Sequence, residues 1–130
     1  MKKSSERGAV AVEFAVLLPI MLLILVGMVE FGRIFNAQII VTNSAREGAR
    51  TMAITSEVAR AESATKIAGS SLSPTLDEND IVVSPGCTAL DPTLPELEYT
   101  TVSVSYEVTP LTGILGPIDI AARGVARCGG

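Results

Sequence analysis

Few side chains in this sequence are placed to do chemistry, and the first is a carboxylate standing alone. Glu13, next to Phe14, is the single charge between Gly8 and Val29. An ionisable group in apolar surroundings costs on the order of 3 kcal/mol unless it is paired or displaced to an interface, which makes it a functional candidate by default. It could act as an acid or base, or as an anion paired with a cation. The acid–base role lacks partners. The 130 residues include no histidine, which removes the commonest general base and the commonest metal ligand. Asp77, Glu78 and Asp80 cluster, but at a spacing that matches no EF-hand loop. Without a nucleophile–base pair or a metal constellation, the sequence predicts no enzyme, no metal and no cofactor.

Two further groups of residues carry chemistry of a different kind. Cys87 and Cys128 are the only cysteines. An even count reads as one disulfide on an oxidising side of a membrane, and otherwise as two small buried hydrophobes. Charge is the other resource. The net charge is −4, and it is unevenly placed. Lys2, Lys3 and Arg7 precede Gly8 against Glu6 alone, so the remainder is more acidic than the whole. An acidic body without a basic patch argues against nucleic acid as a partner. No tryptophan and 4% aromatic residues leave little for base or sugar stacking, and no small-molecule substrate is implied.

The element that positions Glu13 is a membrane-length helix. From Phe14 to Val29 there are sixteen uncharged residues; at about 1.5 Å per residue they span about 24 Å, short of a ~30 Å hydrocarbon core. Counting from Ala9 gives twenty-one residues and about 31 Å, which is enough and places Glu13 inside the membrane or at its edge. Pro19 removes a backbone donor, so a kink or a locally melted turn is expected there, with Gly27 a second weak point. The basic leader orients the N-terminus to the cytoplasm and the body outside. A secretory signal peptide fits less well, because the run is long, lacks an A-x-A-like closing site and ends in Glu30-Phe31-Gly32-Arg33. A plain single-pass anchor with Glu13 at the interface is the simpler alternative.

Gly8, then Ala9-Val10-Ala11-Val12, then Glu13-Phe14 resembles the class III signal of type IV prepilins. The resemblance implies cleavage by a membrane aspartyl prepilin peptidase between Gly8 and Ala9. Glu13 then becomes the fifth residue of the mature chain and pairs with the new amino terminus of a neighbouring subunit. That supplies the cation a buried carboxylate requires. Ala9 departs from the residues most often methylated in major pilins, so N-methylation is not expected.

Past Val29 the helical pattern continues. Glu30 and Arg33 are spaced to pair, and Phe31 and Phe35 to stack. From Ile39 to Ala68 there is no proline. On a 100° wheel Val41, Ala45, Ala49, Met52, Ala59 and Ile67 share one stripe with Ser56 and Ser63. The spacing predicts one helix, roughly Ala9 to Gly69, with breaks conceivable at Asn36 or Asn43 and a capping box at Ser44-x-x-Glu47. Arg46, Glu47 and Arg50 fall off the stripe and could form a local charge lattice, worth a few tenths of a kcal/mol per pair. The run Asn43-Ser44-Ala45-Arg46-Glu47-Gly48-Ala49-Arg50, downstream of the Glu-Phe apolar helix, is similar to the signature of TadE-like proteins of tight-adherence (Flp) pilus systems.

The C-terminal half reads as strands. Asp80–Ser84 is a short apolar run between Asn79 and Pro85-Gly86, and residues 85–98, with three prolines, read as a loop. Tyr99–Val108 alternates cleanly, Val102, Val104, Tyr106 and Val108 on one face against Thr101, Ser103, Ser105 and Glu107 on the other. Ile118 to about Arg127 alternates more weakly. A bond between Cys87 and Cys128 would tie the end of the first strand to the end of the last. Three strands with one apolar face need a cover, and the small-residue stripe can provide it. The expected fold is α+β, a long N-terminal transmembrane helix continuing into a helix packed on a small three-stranded antiparallel sheet, similar to the pilin body plan.

The resemblance implies a cytoplasmic leader (1–8), a transmembrane helix (9–35) and an extracytoplasmic TadE-like body (36–130). It implies a minor pilin or pseudopilin of a bacterial Flp-type pilus, residing in the inner membrane or incorporated into the pilus. Its partners would be a prepilin peptidase and other pilin and pseudopilin subunits. A body of this size exceeds the very short major Flp pilin, which favours a minor role. The alternatives are a type II secretion-like pseudopilin, which the Arg46–Arg50 run argues against, and an uncleaved membrane-anchored extracytoplasmic binding module.

Overall fold

The apolar run and the small-residue stretch after it form a single helix. In the computed structural model, which describes residues 3–84, 87, 99–113 and 116–128, α1 spans Lys3–Thr55. Pro19 lies inside it without ending it. In a helix this long, a single missing donor is small against the many bonds that remain. The chain divides into two units, Met1–Arg33 and Ile34–Gly130, and α1 contributes to both. In the first unit the large apolar side chains are exposed, among them Phe14, Met21, Leu23 and Met28. This is the one helix among the described residues that is long and apolar enough to cross a membrane.

The helix does not run on to Gly69 as its composition suggests. It stops at Thr55, and α2 follows over Val58–Ala68. Ser56 between them has φ 54°, in the left-handed region that rarely suits a non-glycine residue. Hydroxyl side chains take over the backbone here. Thr55 Oγ1 donates to the Thr51 carbonyl (2.8 Å) and accepts from the Glu57 amide (3.3 Å). Such local bonds compete with the helical ladder. Neither Asn36 nor Asn43 breaks the helix, and Ser44 starts none. The buried Ser44 hydroxyl donates to the Ile40 carbonyl at 2.7 Å, a bond of a mid-helix residue and not of a cap.

The turn reverses the chain. Gly48 faces Ala61 and Thr65 of α2, and Ser44 faces Gly69 just beyond it, so α2 runs back along α1. The reversal resets the phase of the apolar stripe. Val41, Ala45, Ala49 and Met52 are buried as expected, whereas Ala59, Ser63 and Ile67 are exposed and α2 buries Ala61 and Thr65 instead.

The strands fall where the alternation places them. After a short 3-10 turn at Glu78–Asp80, β1 spans Ile81–Val83, β2 Tyr99–Val108 and β3 Ile118–Arg127. They form one antiparallel sheet in the order β1-β2-β3, with Val82 opposite Ser103 and Val104 opposite Ala122. Val102, Val104, Tyr106 and Val108 point into the core with Thr100, whose hydroxyl donates to the Ser84 carbonyl at 3.0 Å. Each such valine contributes about 1.5–3 kcal/mol by leaving water. Leu72 and Leu76, after α2, close the same core, and the Tyr106 hydroxyl donates to the Pro74 carbonyl at 3.0 Å. The result is the expected α+β, pilin-like layout, with a helical hairpin in place of one helix. Cys87 and Cys128 are bonded, with Cα atoms 5.5 Å apart across 41 residues of chain. The expected loop 85–98 lies outside the described residues apart from Cys87.

Candidate functional site

Two clusters of sequence-predicted residues sit in different units. Gly8, Ala9, Glu13 and Phe14 lie in the first, all on α1 and all exposed. Gly8 is already helical, and nothing lies within 4 Å of where its Cβ would stand. Ala9 to Phe14 are exposed as well. Glu13 makes no hydrogen bond or ion pair among the described residues of its own chain. The next carboxylate along the helix, Glu30, is buried at 5% exposure. Glu13, by contrast, is exposed. In hydrocarbon, an open carboxylate is stabilised only by a cation from outside or by reaching the interface. Glu13 lies four residues from Ala9, about 6 Å or one helical turn, so a cation held at the start of the apolar run is within its reach.

The second cluster, Ala45 to Arg50, lies in the other unit. It splits by side chain into two functions. Ala45, Gly48 and Ala49 are buried; Arg46, Glu47 and Arg50 are exposed. The buried half is a close-packing device. A Cβ on Gly48 would collide with the Thr65 hydroxyl and crowd Val102 Cγ1 at 3.3 Å. A Cβ on Gly124 in β3 would meet the Ala45 carbonyl and the Arg46 amide. Each glycine therefore brings two backbones together, Gly48 between α1 and α2, Gly124 between β3 and α1. Sequence reasoning found the small stripe on α1 and missed Gly124. The signal was there, since an isolated glycine within a strand pattern marks a close backbone approach.

The exposed half reads as a solvated face, not as a charge lattice. Two ion pairs in the second unit are Glu57–Arg60 (2.6 Å) and Lys66–Glu78 (3.0 Å). Arg46, Glu47 and Arg50 enter neither. Long side chains on a solvated helix face gain too little from pairing to give up their rotamer freedom. The acidic cluster is likewise engaged locally: Asp80 Oδ2 accepts from the Asp77 amide at 2.8 Å, and Glu78 pairs with Lys66. These carboxylates finish a turn.

Both clusters fall within one recognised stretch. Residues 8–50 match the model of a family described as TadE-like protein. The match begins at Gly8 and ends at Arg50, so it holds the glycine, the Glu-Phe pair, the apolar helix and the whole arginine–glutamate run. It covers residues 8–33 of the first unit and 34–50 of the second, all of them in α1. No curated protein and no solved structure matches the chain.

Proposed function

We propose that this chain is a structural subunit, a minor pilin or pseudopilin, of a bacterial tight-adherence Flp-type pilus. The observation that carries this reading is Glu13, open on every side in an otherwise uncharged membrane-length helix that lies within the TadE-like match. The chain enters the inner membrane with Lys2, Lys3 and Arg7 in the cytoplasm and the body outside. A prepilin peptidase hydrolyses the Gly8–Ala9 bond, adding water across it, so that residues 1–8 leave with a new carboxylate and Ala9 gains an amino terminus. That ammonium, on one subunit, is the partner for Glu13 on the next. The role asks no catalysis of this chain and no cofactor.

Intact mass decides the first step. Protein made with a prepilin peptidase is expected to be lighter by residues 1–8 than protein made without it. An unchanged mass would leave the uncleaved anchor as the correct reading. The second step is tested by Glu13→Ala, which should still insert in the membrane and be processed but fail to appear in sheared pili. Normal incorporation of that variant would show that the carboxylate has no part in assembly.

A further inference from the structure

Within the second unit, α1 covers one face of the sheet, where the Ala45 carbonyl lies against Gly124. The alternate residues point the other way, and Val82, Tyr99, Glu107, Asp119, Arg123 and Val125 are all exposed there. At one end of this outer face two carboxylates stand opposite each other, Glu107 of β2 and Asp119 of β3. The Ser84 amide donates to the Thr101 carbonyl at 2.8 Å, so the odd-numbered residues of β2 turn their backbone groups away from β3. Glu107 and Asp119 are therefore a non-hydrogen-bonded pair, the kind that brings side chains closest, and like charges so placed repel. Neither is paired with a cation among the described residues. The next charge along β3 on this face is Arg123, four residues and about 13 Å from Asp119.

The complementary charge is displayed on the opposite side of the same unit. Arg46 and Arg50 are exposed on the ridge of α1 that faces away from the core, in line with Asn43 and Ile54. Glu47 shares the ridge and leaves it one net positive charge. One helical turn, about 6 Å, separates the two arginines, against about 5 Å between the Cβ atoms of a directly opposed strand pair. The apolar positions match as well. Ile54 lies about 12 Å beyond Arg46 along the helix, and the row Val82–Ser103–Arg123 lies about 13 Å beyond Glu107 and Asp119 along the sheet. Ile54 is 61% exposed and Val82 65%. Direction agrees too. On the inner face α1 runs the way β3 runs, from Gln38, whose Nε2 donates to the Ala121 carbonyl, to Ala45 at Gly124.

We propose that the outer face of the sheet is a docking surface for the α1 ridge of a second copy of this chain. Arg46 and Arg50 of that copy sit over Glu107 and Asp119, and its Ile54 meets Val82. The sheet then carries a helix on each face, both running the same way. Because two different surfaces meet, the contact is heterologous and repeats from copy to copy instead of closing at two. Three strands about 10 Å across and about 33 Å long offer on the order of 300 Å², well below the roughly 800 Å² that each partner of a standard stable complex buries. The contact therefore belongs to an array and not to a free dimer. It builds on the reading of this chain as a structural subunit and uses neither Gly8 nor Glu13.

Zero-length cross-linking of the full chain in detergent micelles tests the contact. Arg50→Lys keeps the charge and adds an amine that a carbodiimide joins to a touching carboxylate. Position 50 and positions 107 and 119 lie on opposite sides of one body, so an amide between them forms only between copies. Peptide mass mapping should find position 50 joined to Glu107 or Asp119, with a yield that falls about tenfold between about 20 mM and about 0.5 M salt as the charges are screened. Joining to other carboxylates only, or to none, would overturn the inference. Exchanging the charges sharpens the test. Glu107→Lys with Asp119→Lys in one variant, and Arg46→Glu with Arg50→Glu in another, each set like charges against each other and should cross-link poorly alone. Mixed, the two variants should give about tenfold more linked pairs. Equal yields alone and mixed would also overturn it. Peptidase processing takes no part in the reaction, so this cross-link and the mass change at Gly8 succeed or fail separately.

Discussion

Residues 9–29 and 34–55 of α1 share a backbone and differ in what their side chains bury. The first stretch presents large residues outward: Val10, Phe14, Leu17, Leu23 and Met28 are all more than half exposed. The second buries small ones, with Ala45 and Ala49 at 0% and Ala37 at 7% exposure. Large apolar side chains need a neighbour that supplies volume, and among the described residues these have none that buries them. At about 1.5–3 kcal/mol for each large side chain, leaving them in water would cost tens of kcal/mol. A stretch of this length and composition is long and apolar enough to cross a membrane. Small residues do the reverse. They mark a contact already fitted, where backbones meet with no room to spare. Residue size along one continuous helix thus distinguishes the part completed by other molecules from the part completed by its own chain.

The comparison can be broken by experiment on the full chain in detergent micelles. The largest effect is expected from removing the bond that closes the second unit. Replacing Cys87→Ser and Cys128→Ser together should lower the unfolding free energy of the body by about 4 kcal/mol, from the loop entropy released. Unfolding by guanidinium checks this, and helicity retained by the apolar run at the end of the transition would confirm that the two stretches are independent. Next comes a matched pair of glycines. Gly124→Ala drives a methyl into the backbone of Ala45 and Arg46, and should cost about 3 kcal/mol because neither backbone can retreat. Gly27→Ala has nothing within 4 Å and should cost nothing, or gain a few tenths of a kcal/mol from helix propensity. Equal effects at the two positions would erase the distinction. The smallest effect belongs to the charges of the signature. Arg46→Ala and Arg50→Ala should each change stability by less than about 0.5 kcal/mol, since both side chains are exposed and neither is paired among the described residues. If pilus incorporation fell nonetheless, the exposed half of the signature would be a subunit contact and not a folding feature.

Much of this was legible beforehand, for local reasons. β2 could be read from Tyr99 to Val108 because the two faces of a half-buried strand differ at every step. The apolar helix could be read because a bilayer demands about twenty uncharged residues, and only Glu13 interrupts them. Three features were not legible. The end of α1 at Ser56 depends on the Thr55 hydroxyl, which bonds the Thr51 carbonyl and the Glu57 amide and so competes with the helical ladder. The burial of Ala61 and Thr65 in place of Ala59 and Ile67 depends on the reversal that follows. The role of Gly124 depends on which helix crosses β3, a contact between residues nearly eighty positions apart in the chain.

The sequence by itself determined the periods: a membrane-length helix with one acid, a small-residue stripe, an alternating strand and two cysteines able to pair. Period is a property of neighbours in the chain, fixed by the geometry of helix and strand. Tertiary structure decided the fold-back of α2, the meeting of Gly48 with Thr65 and of Gly124 with Ala45, and the burial of Glu30 but not Glu13. Those outcomes turn on which surfaces come together, and on whether a methyl or a charge fits once they do.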